Sequence, residues 1–271
     1  MRAGEALAAG FRSANEGWKI VSGSWVLGLG ISVGQRILLP HSQPSPDANP
    51  IALLAGGIGM IVLVLVLGVL WTVWLGGALV WLKNRLDGVE NSWTGFVEGG
   101  KRLFWALCWV LSLQVIFGLG PPFVAGLIGA LLSRVIGAGA SVLLIAVGML
   151  MGLAVFILLT FGACSLAERQ QGAMAALKDS ARFVRAHPGG TVGLLAGLTF
   201  LGVAAVLALM VPLLLLAFML KLPISPQQQQ FPLLVEFPLQ AATAYVCFFA
   251  LAAQYAYYRG NQEKENSSCL P

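Results

Sequence analysis

Residues 175–188, AALKDSARFVRAHP, stand directly before a long apolar run, and their pattern decides how the chain is organised. On a helix, Leu177, Ser180, Ala181 and Val184 share one face while Lys178, Arg182 and Arg185 share another. Small-to-medium apolar residues opposite a row of cations suit the boundary between lipid headgroups and water. Pro188-Gly189-Gly190 ends the segment, because proline disfavours helical geometry in the residue before it and glycine adds no rigidity.

A weaker copy lies at residues 6–18 and another at residues 95–104. Leu7, Phe96 and Leu177 correspond, as do Gly10, Gly99 and Ser180, then Arg12, Lys101 and Arg182, then Ala14, Leu103 and Val184. The copies are offset by 89 and 81 residues, lengths that suit a helix plus a hairpin. Two explanations fit these matches: true internal repetition, and the small, basic and apolar residues found wherever a chain enters a membrane from the cytosol. The expected architecture is an all-α polytopic membrane helical bundle of about six transmembrane helices. Its three repeated units, about 1–90, 91–171 and 172–260, would each pair an interfacial amphipathic helix with a helical hairpin, in a single integral membrane domain with a polar tail at 261–271.

Composition agrees. The chain has 271 residues, 58% of them hydrophobic and 10% charged, with a mean hydropathy of +0.84. Apolar runs exceed the roughly 20 residues that cross a bilayer, and little sequence remains for a soluble domain. No cluster of lysine and arginine resembles a nucleic-acid surface, so nucleic acid is not an expected partner. Arg2 and Glu5 followed by an amphipathic stretch do not make an ordinary signal peptide. Cys108, Cys164, Cys247 and Cys269 lack metal-ligand spacing. No disulfide, structural metal or cofactor is expected.

In order, the expected elements begin with a surface helix over 2–16, with Leu7, Phe11, Ala14 and Trp18 on its apolar stripe. Spans follow at about 18–39 and 51–82, separated by a proline-rich outer loop at 40–50. Residues 83–100 form a polar connector, and a third span at 103–119 is broken by Gly118-Leu119-Gly120-Pro121-Pro122. Residues 123–135 fit a kinked continuation, a re-entrant piece or a further crossing. A fourth span at 137–167, a fifth at about 191–220 kinked at Pro212, a glutamine-rich outer loop at 221–232 and a last span ending near Tyr258 complete the chain.

Charge selects six crossings over seven. With six, thirteen of the sixteen Lys and Arg residues fall on one side, and only Arg36, Arg134 and Lys221 on the other. That bias marks the first side as cytoplasmic, with both termini inside. Trp18, Trp81, Trp93, Trp105, Tyr255, Tyr257 and Tyr258 then fall beside the cytoplasmic boundary, where amphipathic rings are favoured. Trp71, Trp74 and Trp81 share a helix face, a spacing expected of packing. Gly30/Gly34, Gly148/Gly152, Gly189/Gly193/Gly197 and Gly68/Thr72/Gly76 have the small-residue spacing of closely packed membrane helices.

Chemistry-bearing residues are few. There is no H-E-x-x-H, no G-x-S-x-G and no phosphate-binding glycine loop, so no enzymatic activity is expected. Glu168 with Asp179 or His187 forms the nearest thing to an acid–base set, and helix-end charge accounts for it better. Gln114, Thr160, Thr199 and Thr243 are uncharged polar residues within spans, expected to bond their own helix or a neighbour. Glu236, between Pro232 and Pro238, has two readings: lining an outward cavity, or solvated at the outer boundary. Arg12, Lys101, Lys178, Arg182 and Arg185 form the leading functional group. Gathered on one face they would attract anionic phospholipid headgroups, each cation contributing on the order of 1 kcal/mol. Ordinary positive-inside anchoring explains the same residues.

Ala176-Leu177, Ser180, Arg182 and the Pro188 break, within AERQQGAMAALKDSARFVRAHPGGTVGLL, resemble the cytoplasmic connector of a broad set of bacterial multi-pass integral membrane proteins. They are similar to the membrane domain attached to some glycerophosphodiester phosphodiesterases. That resemblance implies a membrane module of the bacterial inner membrane. The catalytic barrel of those enzymes is absent from this sequence, and no catalytic residue carries over. The functional expectation is a non-enzymatic module that binds anionic lipid or organises another membrane protein through a basic cytoplasmic face. The alternative is a transporter or channel for a small or lipid-like solute, with Gln114, Glu236 and the Gly118–Pro122 break along its path. Cysteine labelling at Ser45 and Ser180 is the natural topology test.

Overall fold

The computed structural model describes residues 1–38, 50–136, 138–219 and 233–268. The expected outer loops at 40–50 and 221–232, with Ser45 and His41, and also Cys269, lie outside these residues apart from Pro50, the first residue of a helix. The fold is an all-α polytopic helical bundle, and among the described residues there is no strand. Its elements are α1 (Ala3–Glu16), α2 (Trp18–Leu38), α3 (Pro50–Leu86), α4 (Trp93–Ile136), α5 (Ala138–Leu159), α6 (Gly162–Arg169), α7 (Ala173–Ala186), α8 (Pro188–Met219) and α9 (Leu233–Ser268). Five stretches within them are long and apolar enough to cross a membrane: Ile61–Leu86, Trp93–Leu132, Ser141–Arg169, Pro188–Leu216 and Glu236–Lys264. The first expected span, α2, has 21 residues, about 32 Å at 1.5 Å per residue, but Lys19, Gln35, Arg36 and its serines dilute its hydropathy.

Three boundaries differ from the sequence expectation, each for a local reason. First, Gly118–Pro122 does not break the third span. α4 continues through Pro121 and Pro122 to Ile136, so residues 123–135 are a continuation of that helix. Two prolines remove backbone donors and leave carbonyls free, a defect tolerable where a neighbouring helix closes over it. Here α5 does so: a side chain at Gly152 would strike the Gly118 carbonyl, and one at Gly148 would strike Ala125 and sit 2.9 Å from the Pro121 carbonyl. Second, the second copy of the amphipathic motif is not a separate surface helix, because residues 95–104 form the opening turns of α4. Third, residues 137–167 are divided at Thr160-Phe161 into α5 and α6. Ser180 of α7 stitches that break: its Oγ donates to the Leu158 carbonyl (2.8 Å) and accepts from the Phe161 N–H (3.1 Å). Gln114 of α4 donates to the Leu159 carbonyl at 2.5 Å. The tail also differs, since α9 runs on helically to Ser268.

The core lies at one end of the molecule, hereafter the base. Its fully buried side chains include Leu79 and Leu82 of α3, Leu107 and Val110 of α4, Phe161 at the α5–α6 break, Leu166 of α6, and Phe248, Tyr255 and Tyr258 of α9. Tyr255, Tyr257 and Tyr258 therefore do not form an aromatic belt. All three face inward, and Phe161 and Phe183 pack against Tyr257 and Tyr258 at centroid distances of 4.9–6.1 Å. Trp18, Trp93 and Trp105 are exposed, and Trp71 and Trp74 stack on each other at 5.1 Å. Away from the base, long runs of large apolar residues on α3, α4, α5 and α8 are exposed, as lipid-facing surface must be.

α1 shows why the base is compact. Ala6, Gly10, Ser13 and Ala14 are buried, and Phe11 and Trp18 point outward, so the small face of the helix, not its large apolar stripe, makes the contact. It runs along α9, where a Cβ on Gly10 would meet the Ala253 Cβ at 2.7 Å and Tyr245 donates its hydroxyl to Asn15. Small residues let backbones approach where lipid provides no hydrophobic force between helices. Ser180 is fully buried, which makes Arg182, 83% exposed, the better site for a labelling cysteine. Gly10→Val is expected to lower stability by about 1–3 kcal/mol through overpacking. Gly4→Ala, where an added Cβ meets nothing within 4 Å, is expected to be neutral or slightly stabilising. Thermal unfolding of the two variants in detergent measures the difference.

Candidate functional site

The base carries two populations of cations, separated by what lies beside them. Lys83, Arg85, Arg169 and Arg259, at the base ends of α3, α6 and α9, are tied into the structure. Lys83 Nζ donates to the Glu168 carbonyl at 3.0 Å, and Arg85 pairs with Glu16 at 2.5 Å while lying over the Trp81 ring. Arg259 pairs with Asp87 at 2.5 Å and with Glu263 at 2.9 Å, and its guanidinium also reaches the Lys83 carbonyl. Arg169 pairs with Asp179 at 2.9 Å, and Gln171 donates to the same carboxylate at 2.8 Å. Through these bonds the ends of α3, α6 and α9 meet in a hub. At its centre the Tyr255 hydroxyl donates to the Glu168 carboxylate.

The second population comes from the three amphipathic segments. Arg12 on α1, Lys101 on α4, and Lys178 and Arg185 on α7 are exposed, and none forms an ion pair among the described residues. Arg182 is exposed and stands 3.9 Å from Asp179. The local reason is the same in each segment. Gly10, Gly99 and Ser180 are buried against a neighbouring helix, as are Ala14, Leu103 and Val184 four residues on. Arg12, Lys101 and Arg182 each lie midway between two of these inward-facing positions, which puts them on the opposite side of the helix. No hydrogen bond or ion pair among the described residues joins Arg12, Lys101 and Arg182 to one another. Near the hub, Glu5 accepts a hydrogen bond from the Arg2 N–H at 2.9 Å, which holds its carboxyl below the usual carboxylate range.

The proposed path residues are not brought together. Gln114 is engaged at the α5–α6 break, and Glu236 opens α9 at the far end of the molecule, half-buried. Neither lines a cavity formed among the described residues at the base or beside α9, and the Gly118–Pro122 stretch is packed against α5. The cavity at the base, of about 180 Å³, lies between Arg169, Asp179, Arg182, Phe183, Ala186 and Gln262. Glu168 is held by Tyr255, and Asp179 by Arg169 and Gln171, so both carboxylates of the imagined acid–base set have structural partners. Among the described residues no cluster of His, Cys, Asp or Glu could hold a metal ion. The Glu168–Tyr255 link was hidden in the sequence, its two residues lying 87 positions apart.

Residues 8–260 match the family model described as a domain of unknown function, DUF7847. The chain belongs to that family. No curated protein and no solved structure matches it. The DUF7847 match takes in α3 and α6 and reaches into α9 as far as residue 260. Tyr255→Phe, which leaves the Glu168 carboxylate without its hydroxyl donor, is expected to cost about 1–3 kcal/mol. Arg182→Ala, on an exposed face, is expected to stay within about 0.5 kcal/mol. Unfolding midpoints of the two variants in detergent test the contrast.

Proposed function

We propose that this chain is a non-enzymatic multi-pass module of the bacterial inner membrane whose base binds anionic phospholipid headgroups, with both termini in the cytoplasm. The observation that carries this reading is the division of cations at the base. Those at the ends of α3, α6 and α9 are consumed by structural partners, whereas Arg12, Lys101, Lys178 and Arg185 are exposed without any among the described residues. Cations beside an anionic leaflet each contribute about 1 kcal/mol, so the four together give a useful affinity without a deep pocket. The positive-inside bias supports the orientation. The resemblance to membrane domains of bacterial phosphodiesterases agrees with a module of this kind.

The reading extends to internal repetition. Each amphipathic segment packs on the base end of the hairpin before it: the start of α4 on α3, and α7 on α5 and α6. α1 packs on α9. A ring of three equivalent units supports this arrangement naturally. Matched burial at Gly10, Gly99 and Ser180 points the same way.

The test is lipid retention by the detergent-solubilised full chain, read by native mass spectrometry with phosphatidylglycerol and phosphatidylcholine as probes. Replacing Arg12, Lys101, Lys178 and Arg185 with alanine together is expected to lower phosphatidylglycerol retention by more than about tenfold, at unchanged melting temperature. Equal retention by wild type and variant removes the proposal.

A further inference from the structure

Beyond the base, α9 runs between two grooves at membrane depth. One, of about 430 Å³, lies between α2, α3 and α9, with Gly28, Leu67, Gly68, Trp71 and Gln240 among its walls. The other, of about 290 Å³, lies between α8 and α9, against Gly202, Val203, Val206 and Leu207. Thr243 and Cys247, one turn apart on α9 and both exposed, line both grooves. α9 thus presents a low ridge of small side chains with an apolar trough on either side.

Water is a poor occupant of these troughs. A buried water needs two to four polar partners, and the hydroxyl donors here are already spent within the protein. Ser24 donates to the Val21 carbonyl at 2.9 Å and Thr243 to the Leu239 carbonyl at 2.8 Å. Gln240 reaches from α9 to the Ser32 hydroxyl at 3.0 Å. Left empty, the walls lose their dispersion contacts. Exposed Val64 and Leu65 beside one trough, and Val203 and Leu207 in the other, face hydrocarbon. The larger volume falls within the range of about 300–1,000 Å³ typical of small-molecule sites, and the smaller lies at its lower edge.

We propose that the two grooves receive the two hydrocarbon chains of one diacyl phospholipid, which straddles the Thr243–Cys247 ridge. The ridge is low because Thr243, Ala244 and Cys247 are small, so two chains joined at one glycerol can lie on both flanks at once. The site is separate from the cations at the base and does not depend on them, and a zwitterionic probe keeps the two readings apart.

The experiment reconstitutes the full chain in phosphatidylcholine vesicles containing a trace of phosphatidylcholine with a mid-chain diazirine, then maps photo-adducts by mass spectrometry. Adducts are expected to concentrate on α9 within 240–247 and on the facing parts of α3 and α8, well above those at exposed Leu143 and Leu150 of α5. Gly68→Phe fills the first groove from a position where a Cβ meets nothing within 4 Å. Gly202→Phe fills the second, where the nearest atom, of Val246, is at 3.4 Å. Because both chains belong to one molecule, either substitution is expected to lower adducts in both grooves by about tenfold, while those on α5 stay constant. Loss confined to the filled groove overturns the straddling lipid. Adducts spread evenly over all lipid-facing surfaces of the wild type overturn the site altogether, a result that stands even if a variant fails to fold.

Discussion

Close approach of backbones at one end of the bundle is the constraint on which the rest of the molecule depends. Helices surrounded by lipid gain no hydrophobic free energy by meeting, so they stay together through van der Waals contact and hydrogen bonds at short range. The seams at the base supply that. Gly10 seats on Ala253, Gly99 on Val80, and Gly76 on Gly100, whose own position admits no side chain because the Val73 carbonyl lies over it. Where a serine replaces glycine, at Ser180, its hydroxyl makes the contact by bonding both sides of the α5–α6 break.

A tight base has consequences for the other end. The buried residues of α3, α4, α8 and α9 gather where α1, α6 and α7 pack among them, while the far halves of these long helices carry the exposed large apolar residues. Packing is thus densest on one side, and the grooves flanking α9 open beyond it. The α4–α5 seam runs on past the base, where Gly148 and Gly152 close on the Pro121-Pro122 stretch and Ser141 donates to the Gly129 carbonyl at 2.9 Å. The exposed face of α5, with Val142, Leu143, Met149, Leu150 and Leu153, is built for lipid instead.

How much of this was legible in the sequence depended on the range of the interaction. Composition and periodicity are local, so the all-α bundle and the bounds of α1 and α7 followed directly. The α5–α6 break did not, because Thr160-Phe161 becomes a turn only when Ser180 and Gln114, distant in sequence, satisfy its freed groups. Pro121-Pro122 has the signature of a helix breaker, and it is one in water. α5 brings Gly148 and Gly152 against the defect, and the helix survives. The tyrosines near the end of α9 misled for a related reason: amphipathic rings suit an interface, yet Tyr255 buries its hydroxyl because Glu168 is there to accept it. Of the candidate residues, the cations were legible as exposed because their helical neighbours are small. Gln114 was legible as a residue that bonds a neighbouring helix, and it does so at the Leu159 carbonyl, but not as a donor that holds a helix break.

The amphipathic segments also separate structure from recognition by the geometry of the helix alone. Positions 10, 99 and 180 face the bundle, and positions 12, 101 and 182 lie two residues on, about 200° around the axis. A residue on the first set is constrained by the atoms against it: a larger side chain at Gly10 or Gly99 has no space to enter. Arg12 and Lys101 of the second set form no ion pair among the described residues, and Arg182 stands 3.9 Å from Asp179 alone, so charge there can change without moving a helix. The hub follows the opposite rule. There Arg259 and Lys83 are charged and also load the contacts between α3, α6 and α9, so a change of charge at either is a change of packing. Basic residues on one face of this molecule therefore cannot be weighed together. Those that hold the base shape the platform, and only those that it turns outward are open to a contact outside the protein.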